Sequence, residues 1–179
     1  MRIIELILDE AQDIMGIDAI SIVAEEIKLT EVSKEKKILM GALLVPNKPI
    51  YRTGAEGEYY IYFSKETVLK ASQLYLKNGN QNNSTLEHQH ELSGLTLVES
   101  WIVDDEKFDK SRKYGLNVPV GTWMGSVKVN NDDVWDEYVK SGKVKGFSIE
   151  GYFVDKMQNK NKEEQKALAL LSKIKNILG

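Results

Sequence analysis

Two histidines occur in the chain, and both fall in LEHQHE, as His88 and His90. Imidazole is the side chain that takes up and returns a proton near neutral pH, and in its neutral form it ligates metals. On a strand, residues two apart share a face, so the two rings would stand side by side. Three uses fit that arrangement: a solvated β edge flanked by Glu87, Gln89 and Glu91, a general base with a neighbour, or half of an HxH metal pair. The metal version needs a third protein ligand. Where one such pattern would place a glutamate, a few residues beyond the second histidine, Gly94 and Leu95 stand instead.

The second chemical feature is KGFSIEGYF, residues 145–153. Period-two alternation puts Phe147, Ile149 and Phe153 on one face and Ser148, Glu150 and Tyr152 on the other. A rigid strand would then present Ser148, which suits a nucleophile as well as an ordinary strand serine. The elbow motif GxSxG is not met, because Glu150 precedes Gly151, and an α/β-hydrolase is disfavoured. The order of GKVKGFS is also wrong for a phosphate-binding P-loop. A third feature is LTLVESWIV, which sets Glu99 between Leu97 and Trp101 on one strand face. A carboxylate in apolar surroundings needs a cationic or N–H partner. Glu99 could orient the His88 ring as the acid of a hydrolytic triad does, or face water.

The elements that must position these groups are mostly strands. Short apolar runs at 2–7 and 18–24 flank an acidic turn, IKLTEV at 27–32 alternates, and KKILMGALLVP at 37–46 must stop at its proline. EYYIYF at 58–63 reads as a strand, followed by a helix that Ser64 caps and that carries Val68, Ala71, Leu74 and Leu76 until Gly79. The segment TLEHQHELSGLTLVESWIV holds two β runs broken at Ser93-Gly94. Residues 104–121 read as a charged surface excursion, 122–129 as a strand, 130–142 as a short helix and 143–155 as a strand. Residues 156–165 read as a linker or frayed helix start, before a terminal helix with Leu168, Leu171, Ile174 and Leu178 on one side. Strands and helices do not alternate as a doubly wound sheet requires. The pattern predicts an α+β chain, mainly β: a β-barrel or curled antiparallel sheet flanked by helices, over residues 1–155, with a linker and amphipathic helix at 156–179.

Composition narrows the functions. With 179 residues the chain suits one domain and a short appendage. Twenty-four basic against 27 acidic residues give a net charge of −3, which provides no field for nucleic acid or anionic lipid. There is no cysteine, so disulfides, thiolate metal sites and a cysteine nucleophile are excluded, and cytosol is the default compartment. Glu5, Asp9 and Glu10 interrupt the N-terminal apolar run, so neither a secretory leader nor a membrane span is expected there.

Six ordered blocks, DAISIVAEEI, ILMGALLVPNKPIYR, EYYIYFSKETV, STLEHQHELSGLTLVESWIVDD, YGLNVPVGTWMGSVKVNNDDVW and GKVKGFSIEGYF, resemble the XkdF-like serine proteases of tailed phages over roughly residues 1–155. That family resembles the prohead maturation proteases, which are similar to herpesvirus assemblins. The resemblance implies an assemblin-like β-barrel ringed by helices, with His88 as base and Ser148 as nucleophile on separate strands. It implies a third triad member too: Glu99 first, with Glu150, Asp155 or His90 behind it. Arg52 and Arg112 are the side-chain candidates for stabilising the oxyanion. The implied activity is a serine endopeptidase of capsid maturation, with scaffold and major capsid protein precursors as substrates inside the assembling prohead in the host cytoplasm. No cofactor and no metal are expected, and a homodimer is expected by analogy with assemblins. The block after ISIV is shorter than the family pattern, where a Pro-Ala pair and a longer segment are common. The alternatives are a non-enzymatic module that binds scaffold, and a metal-dependent hydrolase built on His88 and His90.

Overall fold

The computed structural model describes residues 2–8, 16–33, 35–55 and 57–178. Strands β1 (Arg2–Ile7) and β2 (Ile17–Lys28) precede two hairpins, β3 (Thr30–Ser33) with β4 (Ile38–Leu44) and β5 (Ile50–Gly54) with β6 (Gly57–Phe63). Helix α1 (Lys65–Lys77) leads to β7 (Ser84–Leu86), β8 (His90–Leu92) and β9 (Leu95–Ile102). The short helix α2 (Lys110–Lys113), β10 (Trp123–Val129) and α3 (Asp132–Val134) follow, with α3 running on as a π turn through Trp135–Val139. The chain closes with β11 (Gly146–Gly151), β12 (Val154–Asp155) and α4 (Lys156–Leu178). The acidic turn expected after β1 falls largely on residues 9–15, outside the described residues.

The expectation of a mainly β protein with added helices holds, and no closed barrel is seen among the described residues. Among the described residues the strands form three four-stranded sheets, ordered β12-β1-β6-β5, β3-β4-β10-β9 and β11-β2-β7-β8. Nor is the pairing purely antiparallel, since β1–β6 and β2–β7 are parallel. Parallel pairing needs a crossover, and both N-terminal strands obtain one by pairing with strands that return after the intervening hairpins. Residue periodicity specifies which face is apolar but not the direction of the partner strand.

Alternation decides which face of each strand is buried. Leu39 and Leu43 of β4 join the main core with Ile20 and Ile22 of β2 and Phe147 of β11, while Met40 and Ala42 face a second core with Met124, Leu116 and Val118. The 104–121 segment is therefore more than a surface excursion: Leu116 and Val118 are buried within it. The Arg112 guanidinium holds that loop together through Glu106 O at 2.9 Å and Val118 O at 2.6 Å. Helix α1, capped by Ser64, buries Val68, Ala71, Ser72 and Tyr75, so its core stripe runs through Tyr75 and turns Leu76 outward. The Tyr75 ring meets Trp123 edge-on at 5.5 Å. Burial pushes the Tyr75 hydroxyl pKa upward.

Of the two readings of residues 156–165, the helix start is the one observed. Asp155 caps the first turn by accepting from the N–H groups of Met157 at 2.8 Å and Gln158 at 3.3 Å, so α4 begins directly after β12. Leu168, Leu170 and Leu171 on this helix are exposed.

One contact seats β11 on the core. A Cβ on Gly41 would stand 3.1 Å from the Phe147 ring, so the absence of a side chain there lets the ring lie against β4. Phe147 is only 2% exposed. Phe147→Ala should lower the free energy of unfolding by about 3–5 kcal/mol, measured by urea denaturation. A loss below about 1 kcal/mol would show that this ring does not anchor the strand.

Candidate active site

Because Phe147 and Ile149 turn toward the core, Ser148 and Glu150 stand on the outer face of β11. Across the sheet, Ser148 is in register with Ser21 of β2, and Ser21 with Thr85 of β7. This row of three hydroxyl residues crosses three adjacent strands. Ser21 is fully buried, and its Oγ donates to Thr85 O at 3.4 Å.

His88 reaches the same face from a turn rather than from a strand. The N–H of Gln89 donates to Leu86 O at 3.0 Å, and both central residues have positive φ, 50° at Glu87 and 57° at His88. Positive φ at both central positions is the signature of a type I′ turn, which normally takes Asn-Gly. For residues with a Cβ this conformation costs about 1–2 kcal/mol each. Three hydrogen bonds, each contributing about 0.5–1.5 kcal/mol, offset that cost. The N–H of Glu87 donates to Ile22 O at 3.1 Å, the N–H of His88 to Ser21 Oγ at 3.0 Å, and the N–H of Ala24 to the Glu87 carboxylate at 2.7 Å. Ser21 therefore ties the histidine backbone to the strand beside Ser148.

The His88 ring meets Glu150, with Nδ1 at 3.2 Å from Oε1. The Thr85 hydroxyl donates to the same carboxylate oxygen, so Glu150 is held from two directions. Side-chain exposure is 41% for His88 and 30% for Glu150, which leaves the pair open to solvent on one side. Nearby, burial raises the Asp18 pKa, and the charge of Glu150 adds to the rise. Among the described residues Ser148 Oγ makes no hydrogen bond, to His88 or to any other group. Catalytic contacts often tighten only with substrate bound.

The remaining sequence candidates lie elsewhere. Glu99 is on β9, in the β3-β4-β10-β9 sheet, and is not brought to His88. Its carboxylate accepts from Lys110 Nζ at 2.5 and 2.6 Å and from Ser126 Oγ at 2.5 Å. The Lys110 ammonium and the Ser126 hydroxyl hold its pKa below the ordinary glutamate range. Alternation gave neither the face nor the neighbour: a register shift breaks the β9–β10 pairing beside Glu99, Leu97 enters the main core while Trp101 packs against the second, and Ser126 of β10 lies directly opposite Glu99. Asp155 pairs with Arg2 at 3.5 Å and caps α4. His90 opens β8 in register with Leu86, so the two histidines do not share a strand face as expected. Among the described residues no three His, Asp or Glu side chains gather to hold a metal ion. Of the two arginines considered for the oxyanion, Arg112 is committed to loop carbonyls, whereas Arg52 lines a cavity that Ser148 also lines.

Sequence reasoning did not single out Ser21 or Thr85. The available signal was Ser21 itself, a lone hydroxyl in the apolar run 19–24.

A serine and a carboxylate-held imidazole on the same sheet face are the groups that serine hydrolases combine. A family model described as "Putative phage serine protease XkdF" matches residues 26–157, and the chain belongs to that family. The matched span contains His88, Ser148 and Glu150, while Ser21 lies just before it. No curated protein and no solved structure matches the chain.

Two expectations follow for stability. Gly151 ends β11 at a register shift, and a Cβ there would lie 2.4 Å from Gly16 O, against backbone that cannot rotate away. Gly151→Ala should cost about 1–3 kcal/mol in urea denaturation; an unchanged midpoint would show that the close approach is not tight. For Glu99 the folded pKa lies below the ordinary value of 4.5, so its pairing stabilises above that pH and is lost as pH falls through the lowered value. Glu99→Gln should lower the thermal midpoint at pH 7, and the gap from the parent protein should close as the pH falls below the ordinary value of 4.5 and through the lowered one; a gap independent of pH would contradict the pairing.

Proposed function

We propose that this chain is a serine endopeptidase in which Ser148 is the nucleophile, His88 the general base and Glu150 the acid of the triad. The observation that carries the reading is the contact between His88 Nδ1 and Glu150 Oε1 on the face that presents Ser148. Membership of a family described as phage serine proteases supports it.

In this mechanism Ser148 Oγ attacks the scissile carbonyl carbon and passes its proton to His88 Nε2. The Nδ1–H stays on the Glu150 carboxylate, which fixes the tautomer and stabilises the imidazolium. Collapse of the tetrahedral intermediate breaks the C–N bond as His88 returns the proton to the leaving amine. Water, deprotonated by His88, then attacks the acyl-enzyme and releases Ser148. Thr85 positions Glu150, and Ser21 positions the His88 backbone. The substrates in this reading are scaffold and major capsid protein precursors, cut inside the assembling prohead in the host cytoplasm.

A second reading, a non-catalytic assembly module that binds scaffold, is favoured by one observation. Helix α4 leaves Leu168, Leu170 and Leu171 exposed and without a core to enter.

The two readings separate in co-expression of this chain with a scaffold or capsid precursor, followed by mass spectrometry of the fragments. Ser148→Ala should abolish processing, and Glu150→Gln should reduce the rate by about 10³–10⁴-fold, as loss of the orienting acid does elsewhere. Glu99→Gln should leave the rate within about 3-fold, because its removal touches neither His88 nor Ser148. Processing that survives Ser148→Ala would refute the catalytic assignment, and a larger loss from Glu99→Gln than from Glu150→Gln would refute the choice of acid.

A further inference from the structure

Near its start, β2 carries one more residue than the strand it pairs with. Gly146 to Glu150 of β11 run in step with Val23 to Ala19, but the next pair is Gly151 with Ile17, so Asp18 has no partner of its own. Such a bulge re-aims the side chains around it. In unbroken alternation Asp18 would follow Ile22 and Ile20 into the core. The extra residue reverses the phase: Ile17 takes the core position, and Asp18 lines a cavity with its neighbour Ala19 and with Glu150, the residue opposite Ala19. Two amide side chains brace the bulge, Asn80 Nδ2 donating to Ile17 O at 2.9 Å and Asn83 Nδ2 to Asp18 O at 3.1 Å.

The cavity, of about 610 Å3, also has Thr85 and Glu91 in its wall, and no lysine, arginine or histidine among its described residues. The charged groups around Asp18 are therefore Glu150 on β11 and Glu91 on β8, with the His88 ring in contact with Glu150. Glu150 is bonded to His88 and Thr85, whereas the Asp18 carboxylate makes no hydrogen bond or ion pair among the described residues. Partial desolvation and then the charge of Glu150 raise the Asp18 pKa. An ionised carboxylate held beside a like charge, with no bond in return, lowers the stability of the fold. Folding alone does not account for an acid here, since asparagine would fill the same place without that loss.

We propose that Asp18 is a positioning residue that acts through Glu150: the bulge sets a second negative charge beside the one that His88 meets directly, and the two together stabilise the imidazolium. This rests on the catalytic reading above in one respect only, that His88 becomes imidazolium in the course of the reaction. The coupling between the two carboxylates does not depend on it.

The test uses the full-length chain. The Asp18 carboxyl, followed by carbon-13 NMR, should titrate above the ordinary value of 3.8 and move to lower pH in Glu150→Gln. Ionised Asp18 destabilises the fold above its raised value, and that cost vanishes as the pH falls below 3.8. Asp18→Asn should accordingly raise the thermal midpoint at pH 7 and lose the gain below pH 3.8. In fluorophosphonate labelling of Ser148, Asp18→Asn should slow the plateau rate about 2- to 5-fold and move the acid limb of the pH profile down by about half a pH unit, with Asp18→Glu restoring both. An Asp18 titration indifferent to Glu150→Gln, a lower thermal midpoint in Asp18→Asn, or a pH profile that stays in place would overturn the inference. Coupled carboxylates with no labelling of Ser148 in the unaltered chain would sustain the pair and defeat the catalytic reading. Labelling at Ser148 with uncoupled carboxylates would do the reverse.

Discussion

The hydrogen bond from the His88 N–H to Ser21 Oγ is the constraint on which the candidate site depends. His88 sits in a turn that its side chain does not favour, and the turn's own 86–89 hydrogen bond would leave the ring free to swing with the hairpin tip. The bond to a fully buried serine fixes the tip over β2, one strand away from Ser148. Everything else about the site follows from that placement. The ring reaches Glu150, Glu150 is steadied by Thr85, and Ser148 lies two residues away on the same strand face. The conformational cost borne at Glu87 and His88 is met by bonds from neighbouring strands.

The face that carries the site is polar because the opposite face is not. Phe147 and Ile149 enter the core with Ile20 and Ile22, which commits Ser148, Glu150 and Ser21 to the opposite face of the sheet by alternation alone, Ser21 buried there beneath the His88 turn. The glycine against the Phe147 ring and the glycine that ends β11 at a register shift both allow a close approach that a side chain would block. Ser148 is therefore held by packing of its neighbours on one side of the strand and by pairing to β2 along its edge, a rigid mounting that needs no loop.

Much of this was legible in the sequence, and what was not has physical reasons. The alternation of GFSIEG placed Ser148 and Glu150 together, and the apolar runs marked β4, β6, β9 and β10. The His88 turn was hidden because its residues are Glu-His, neither of which signals positive φ, so LEHQHE looked like a continuous strand. The IYRTG strand was missed because only one of its residues is buried even in part. Glu99 seemed the triad acid because periodicity passes over a register shift and never gives a neighbour; its partners Lys110 and Ser126 come from other parts of the chain. For the same reason the sequence could not show that the described strands pair as three four-stranded sheets, two of them with a parallel pair. The 156–165 segment, polar and lysine-rich, became helix because Asp155 caps it and nothing in it breaks the turn.

The most direct measurement is active-site labelling of the full-length chain with a fluorophosphonate, with the modified residue located by peptide mass spectrometry. The account predicts a single adduct on Ser148 that disappears in His88→Asn and is slowed strongly in Glu150→Gln, while both variants keep the parent's circular dichroism. Labelling on a different serine, or labelling of Ser148 that is indifferent to His88, would contradict it.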